Sequence, residues 1–203
     1  MPNLIRDPST DALIAPANFN IEPCDIFLTR GNSILDKLIR IREVEDVHSN
    51  DKFPRVNHTG IVIEKGTIET ANVIEALTTV QEHTLWSEYH GKSDEITIFR
   101  PLNLTPEQKT TIVDKAVDYK GRKYGYLKIA GNALDFFLGG AYVFRRLTNN
   151  DNYPICSWVV AESYSKVGKT FGVAPGAATP ENICDFCVLH PNEYRLLFNL
   201  QTI

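Results

Sequence analysis

The sequence lacks any apolar run that approaches the roughly 20 residues of a membrane-spanning helix. Its first residues include acids and prolines where a signal peptide has a basic start and an apolar core. No run rich in lysine and arginine is present, and the net charge is −4. We therefore expect a cytoplasmic protein without stable membrane insertion and without a nucleic-acid partner, since phosphate binding needs clustered cations. Export by a signal-independent route stays open.

Cysteine is scarce, with 4 residues in a chain of 203. Without a signal peptide, this even number is poor evidence for disulfides. Cys184 and Cys187 form one CxxC pair, whereas a structural zinc site needs four ligands, and no second pair or HxxxH follows. We predict no metal and no organic cofactor, and the pattern leaves the role of the pair open.

The hydrophobic pattern separates strands from helices and shows no repeat or obvious linker. We interpret residues 1–22 as a lead-in segment and residues 23–203 as a single domain. The pattern predicts strands at 24–30, 56–64, 71–81, 95–100 and 194–200, and helices at 32–42, 105–120, 126–138 and 156–167, with a short helical turn from 179. Segregated elements favour an α+β fold with a mostly antiparallel sheet packed against helices.

Cys156 is the first candidate for chemistry, because it follows Tyr153-Pro154-Ile155 and opens a predicted helix. At a helix start, unpaired backbone N–H groups and the positive end of the macrodipole favour an anion. This position lowers the pKa of a thiol and makes it a nucleophile, and the same N–H groups can stabilise an oxyanion. The alternative from the segment alone is a small buried hydrophobic residue.

His58 and Glu75 are the second and third candidates. Strand alternation puts His58, Gly60 and Val62 on one face, and Gly60 leaves room beside the imidazole. Glu75 interrupts an apolar stretch, and a buried acid is costly unless it is paired. On a paired strand it can orient the imidazole, although a hydrogen-bonded core histidine and an outward-facing acid remain alternatives. The remaining candidates look weaker: the fallback acids Glu64 and Glu69, and four histidines in polar or loop-like contexts, His48, His83, His90 and His190.

An ordered set of motifs links these candidates. In chain order they are Asp25-Ile26-Phe27-Leu28, His58-Thr59-Gly60-Ile61-Val62, Ile74-Glu75-Ala76, Tyr124-Gly125-Tyr126, Ile155-Cys156-Ser157 and Thr179-Pro180. The set resembles the permuted papain-like hydrolases, the YiiX-like relatives of NlpC-type cell-wall peptidases, and is similar to lecithin–retinol acyltransferase. In this group the histidine strand precedes the cysteine helix.

The resemblance implies a circularly permuted papain-like fold with Cys156 as nucleophile, His58 as general base and Glu75 as orienting acid. It also implies that Tyr124 lines the substrate groove. The chain departs from the family where Cys24 replaces the glycine of a Pro-Gly-Asp turn and where Gly125 replaces an acid. These departures leave the triad intact and the substrate specificity open.

Three functions fit these residues. The first is hydrolysis of a small amide or peptide bond through an acyl-enzyme, which we favour because the chain is acidic and has no basic amphipathic helix. The second is a lipid-directed thioesterase, phospholipase or acyltransferase, kept open by the apolar stretch at 133–144. The third is a non-catalytic binding module, which predicts an unreactive Cys156 and a Glu75 turned away from His58.

Overall fold

The structure is a computed structural model that describes residues 20–30, 56–89, 95–123 and 154–199. It also describes a short antiparallel strand pair, β1 (Ile5–Arg6) and β2 (Leu13–Ile14). The helices predicted at 32–42 and 126–138, together with Tyr124, lie outside the described residues.

A six-stranded antiparallel sheet forms the centre of the described fold. Its strands are β3 (Ile26–Arg30), β4 (His58–Val62), β5 (Asn72–Ala76), β6 (Val80–Thr84), β7 (Glu95–Pro101) and β8 (Tyr194–Asn199). The spatial order is β6-β5-β4-β3-β7-β8, and every neighbouring pair is antiparallel. The predicted α+β class and antiparallel sheet are confirmed.

Four α-helices accompany the sheet in the described residues: α1 (Leu85–Tyr89), α2 (Pro106–Val117), α3 (Cys156–Ser165) and α4 (Pro180–Leu189). The predicted start of α2 is confirmed, because Thr105 and Gln108 form a reciprocal capping box. Thr179 and Asn182 form a second box, and α4 is a ten-residue helix rather than the short turn that we predicted. Within the described ranges, no helix has the length and apolar character needed to cross a membrane.

The strand predicted over 71–81 is wrong, because the chain turns after Ala76 and β6 begins at Val80. The backbone N–H of Leu77 donates to the carbonyl of Thr79 across this turn. The turn contains no glycine, proline or asparagine, so the usual sequence signal for a turn is missing. The result is an extra strand at one edge of the sheet, followed directly by α1.

The sheet is buried on both faces. One face, which includes Ile61 and Ile74, packs against α2, α3 and α4. The other face, which includes Phe27 and Val62, packs with residues of α1. Adjacent residues of β4 therefore belong to different cores, as strand alternation requires.

Gly60 allows an aromatic ring to lie directly on β4. A Cβ at this position would come within 2.5 Å of Phe27 Cε1 and Cζ and within 2.7 Å of the Ile74 carbonyl oxygen. The room expected beside His58 is therefore filled by the Phe27 ring, which packs edge-on against Tyr89 with 6.2 Å between centroids. The close approach explains why this strand position holds a glycine.

We expect Gly60→Ala to lower the free energy of unfolding by about 1–3 kcal/mol, because the added methyl group overpacks the site. Urea denaturation measures this cost. In a Phe27→Leu background the same substitution should cost less, because the smaller side chain relieves part of the overlap. An equal cost in both backgrounds would show that the ring is not the obstacle.

Candidate active site

Cys156 is the first residue of α3, and its side chain is 3% exposed. Ile155, the N-cap residue, is extended and has no side chain that can cap the helix. The backbone N–H groups of Ser157 and Thr59 instead lie near the Cys156 sulfur and help to lower the pKa of the thiol. The thiol therefore lies where a helix start and a strand of the sheet both present donors to a negative charge.

The His58 ring lies beside this thiol and is 14% exposed. His58 is the first residue of β4, and its Nε2 hydrogen-bonds Oε2 of Glu75 on β5. The strand register pairs Gly60 with Glu75, so Glu75 and His58 are diagonal neighbours on the same face. Because Nε2 bonds the carboxylate, Nδ1 is the ring nitrogen left for Cys156.

The opposite charges of Cys156 and His58 shift the pKa of each group in the direction that favours an ion pair. Burial opposes ionisation of Cys156, but the neighbouring His58 imidazolium and the two backbone donors lower the pKa of the thiol below its usual range. Burial likewise opposes a charged His58, yet Cys156 and Glu75 hold the pKa of the imidazole well above its usual range. These directions favour a thiolate–imidazolium pair.

Glu75 is fully buried, and three side chains among the described residues place polar atoms against its carboxylate. His58 and the Tyr89 hydroxyl both bond Oε2, the hydroxyl donating at 2.7 Å. On the other side, His83 Nε2 lies 2.8 Å from Oε1. Burial alone would raise the pKa of Glu75, but the two imidazoles more than offset it and lower the pKa to about 2. The acid is therefore ionised at neutral pH.

The sequence interpretation missed His83, which we assigned to a polar or loop-like context, and it did not name Tyr89. His83 lies on β6, paired with Val73, on the face that carries Glu75. Its Nδ1 lies 3.0 Å from the Thr84 carbonyl oxygen. His83 Nε2 and Glu75 Oε1 are close enough for an ion pair, although the N–H of His83 does not point at the oxygen as a hydrogen bond requires. The alternation of Gln81 and His83 beside the acid-bearing strand was the available signal.

The other candidates are not brought to this site within the described residues. Glu64 and Glu69 are exposed, and His190 ends α4 with its ring stacked on Phe186. Tyr124, His48 and His90 lie outside the described residues. Cys24, Cys184 and Cys187 are buried free thiols.

Cys24 adopts the left-handed conformation, with φ of 72°, at the position where the resemblance has glycine. The backbone geometry that favours glycine is therefore kept without the glycine. Its sulfur donates to the Lys109 carbonyl at 3.4 Å. Burial raises the pKa of this thiol to about 12, which makes it a poor nucleophile.

The likeness to solved structures identifies the fold. The chain is similar to the metalloprotein YiiX of Escherichia coli O157:H7, with a TM-score of 0.51 and 21% identity over 75% of this chain and 69% of that one. The fold is YiiX-like. No protein-family model and no curated protein matches the sequence.

YiiX is described as a metalloprotein, and a metal ion at this site would need several protein ligands that converge on one point. In the part of the chain that the structure describes, no group of three or more His, Cys, Asp or Glu side chains is arranged to hold a metal ion. The imidazoles of His58 and His83 each turn Nε2 toward a different oxygen of Glu75 rather than toward a shared point. The described residues therefore do not fit a metal ion here.

The electrostatics predict that Cys156 is the most reactive thiol. Its pKa is lowered, whereas burial raises the pKa of Cys24 and of Cys187. Brief treatment with iodoacetamide near pH 7, followed by peptide mapping, should label Cys156 at least roughly 10-fold faster than Cys24, Cys184 and Cys187, because the thiolate is the attacking form.

The matched control is His58→Gln, which removes the cation beside the sulfur and should slow labelling of Cys156 alone. Earlier labelling of Cys184 or Cys187 would contradict the assignment and would point to redox or metal chemistry on α4. Equal labelling of Cys156 in wild type and His58→Gln would show that His58 does not activate the thiol.

Proposed function

We propose that this chain is a cysteine-dependent hydrolase that cleaves a small amide or peptide bond through an acyl-enzyme intermediate. Residues 23–203 form its single domain, with a circularly permuted papain-like fold. The observation that carries the proposal is the continuous contact from Cys156 at the start of α3, through His58, to the buried Glu75. The order of histidine strand before cysteine helix supports the permuted assignment.

The proposed reaction begins with attack of the Cys156 thiolate on the substrate carbonyl carbon. A C–S bond forms, and backbone N–H groups at the start of α3 stabilise the oxyanion. The His58 imidazolium gives its Nδ1 proton to the leaving amine as the C–N bond breaks. Neutral His58 then takes a proton from water, the hydroxide attacks the thioester, and the thiolate leaves. Glu75 accepts from Nε2–H throughout and fixes the tautomer.

The described contacts weigh against the binding-module alternative, which requires Glu75 to face away from His58. Instead, Glu75 bonds the ring directly. The apolar stretch that favours a lipid substrate, at 133–144, lies outside the described residues. We retain an amide substrate because an anionic membrane surface should repel a chain with a net charge of −4.

Activity on peptide amides should fall at least roughly 100-fold in Cys156→Ala and in His58→Gln, since each loses a group of the reaction. The assay compares these variants with wild type on peptide amides, phospholipids and acyl thioesters. Cys184→Ala is the matched control, because it removes another buried thiol, on α4, and should retain activity.

Each other pattern in that assay contradicts part of the proposal. If only the lipid or thioester activity depends on Cys156, the substrate class is wrong and the lipid alternative replaces it. If no activity depends on Cys156, the binding module becomes the better explanation. A chelator should leave turnover unchanged, since the proposed steps use protein groups and water, and a loss on chelation would overturn this mechanism.

A further inference from the structure

A second histidine shares the carboxylate that orients His58. Glu75 accepts from His58 and from the Tyr89 hydroxyl at Oε2, while His83 Nε2 lies 2.8 Å from Oε1. The two imidazoles approach from the strands on either side of β5, His58 from β4 and His83 from β6. The proposed mechanism does not use His83.

The surroundings of His83 favour its doubly protonated form. Nδ1 faces the Thr84 carbonyl, which can only accept, so Nδ1 carries a hydrogen. Nε2 faces an ionised carboxylate, and a lone pair there would be repelled. Burial opposes the charge, but Glu75 on β5 and Glu88 on α1 outweigh it and raise the pKa of His83.

Cys156, His58, Glu75 and His83 form a buried array, and the charges of this array balance only when His83 is protonated. The thiolate of Cys156 and the carboxylate of Glu75 are two anions, and His58 alone supplies one cation. A net buried charge is costly, whereas a fourth member with positive charge makes the array neutral. The His83 cation beside Glu75 also weakens the attraction between the carboxylate and the His58 proton. That proton therefore remains available for the leaving group.

We propose that His83 is a positioning residue: its imidazolium holds Glu75 in place for His58 and sets the pH range in which the Cys156–His58 ion pair exists. The proposal rests on the function proposed above where it concerns turnover. Its central readout, alkylation of Cys156, needs no substrate, so it is tested even if the proposed reaction is wrong.

The decisive variant is His83→Gln, because the glutamine amide can still donate toward Glu75 but carries no charge. Removing this cation leaves the array more negative, so protons are held more tightly by both Cys156 and His58. The rate of Cys156 alkylation by iodoacetamide is measured against pH. Both inflections should move upward together, by on the order of one pH unit, the scale of Coulomb coupling between charges roughly 10 Å apart at an effective dielectric constant of about 20.

His190→Gln is the matched control, because His190 stacks on Phe186 and its Nδ1 contacts the Phe186 carbonyl rather than Glu75. Its alkylation profile should coincide with that of wild type. In turnover, His83→Ala should lower kcat roughly 10-fold through loss of the group that holds Glu75, and His83→Gln should recover most of it at a higher optimum pH.

Three results would overturn the proposal. The first is an unchanged pH profile of Cys156 alkylation in His83→Gln. The second is a fall in the upper inflection alone, because that result would mean only that Glu75 has lost its orientation. The third comes from the wild-type protein and needs no variant to fold. Nitrogen chemical shifts of the His83 ring should show the imidazolium persisting above pH 6.5, the ordinary titration point of histidine, and a neutral ring at pH 6 would exclude the role.

Discussion

A buried negative charge is the constraint on which the candidate site depends. Glu75 lies within β5 with no solvent exposure, and an ionised carboxylate in that position costs several kcal/mol unless it is paired. Its polar partners come from three elements, His58 on β4, His83 on β6 and Tyr89 on α1. Because the partners are distributed in this way, the register of three strands must be correct before the charge is stabilised. The same register then fixes the His58 ring.

The position of His58 explains how Cys156, on a helix that packs against one face of the sheet, can be linked to Glu75 on the other face. Glu75 lies on the face that carries Phe27 and Tyr89, whereas α3 packs on the opposite face with Ile61 and Ile74. His58 is the first residue of β4, and Cys156 is the first residue of α3. Where both elements begin, the ring can contact the carboxylate through one nitrogen and the thiol through the other.

The similarity to YiiX and the contacts at the site support different conclusions. At 21% identity, the likeness shows the fold and not the chemistry. The proposed chemistry stands instead on the pairing of Cys156 with His58 and of His58 with Glu75. The role proposed for His83 likewise follows from charge balance in the buried array and not from the fold.

Local signals in the sequence were enough for several features. Thr105-Pro106 with Gln108 determined where α2 starts, strand alternation assigned the residues of β4 to two faces, and Pro154 placed Cys156 at a helix start. These depend on backbone geometry within a few residues. The sequence also named His58 and Glu75, and the structure brings them together with Cys156.

Only the tertiary structure decided the turn after Ala76, the edge strand β6 and the contact between His83 and Glu75. That turn has none of the residues that usually mark a turn, so the sequence pattern predicts one continuous strand over 71–81. Without the turn, His83 has no reason to face Glu75. The contact depends on the register of two strands, and a shift of one residue would point the imidazole to the opposite face.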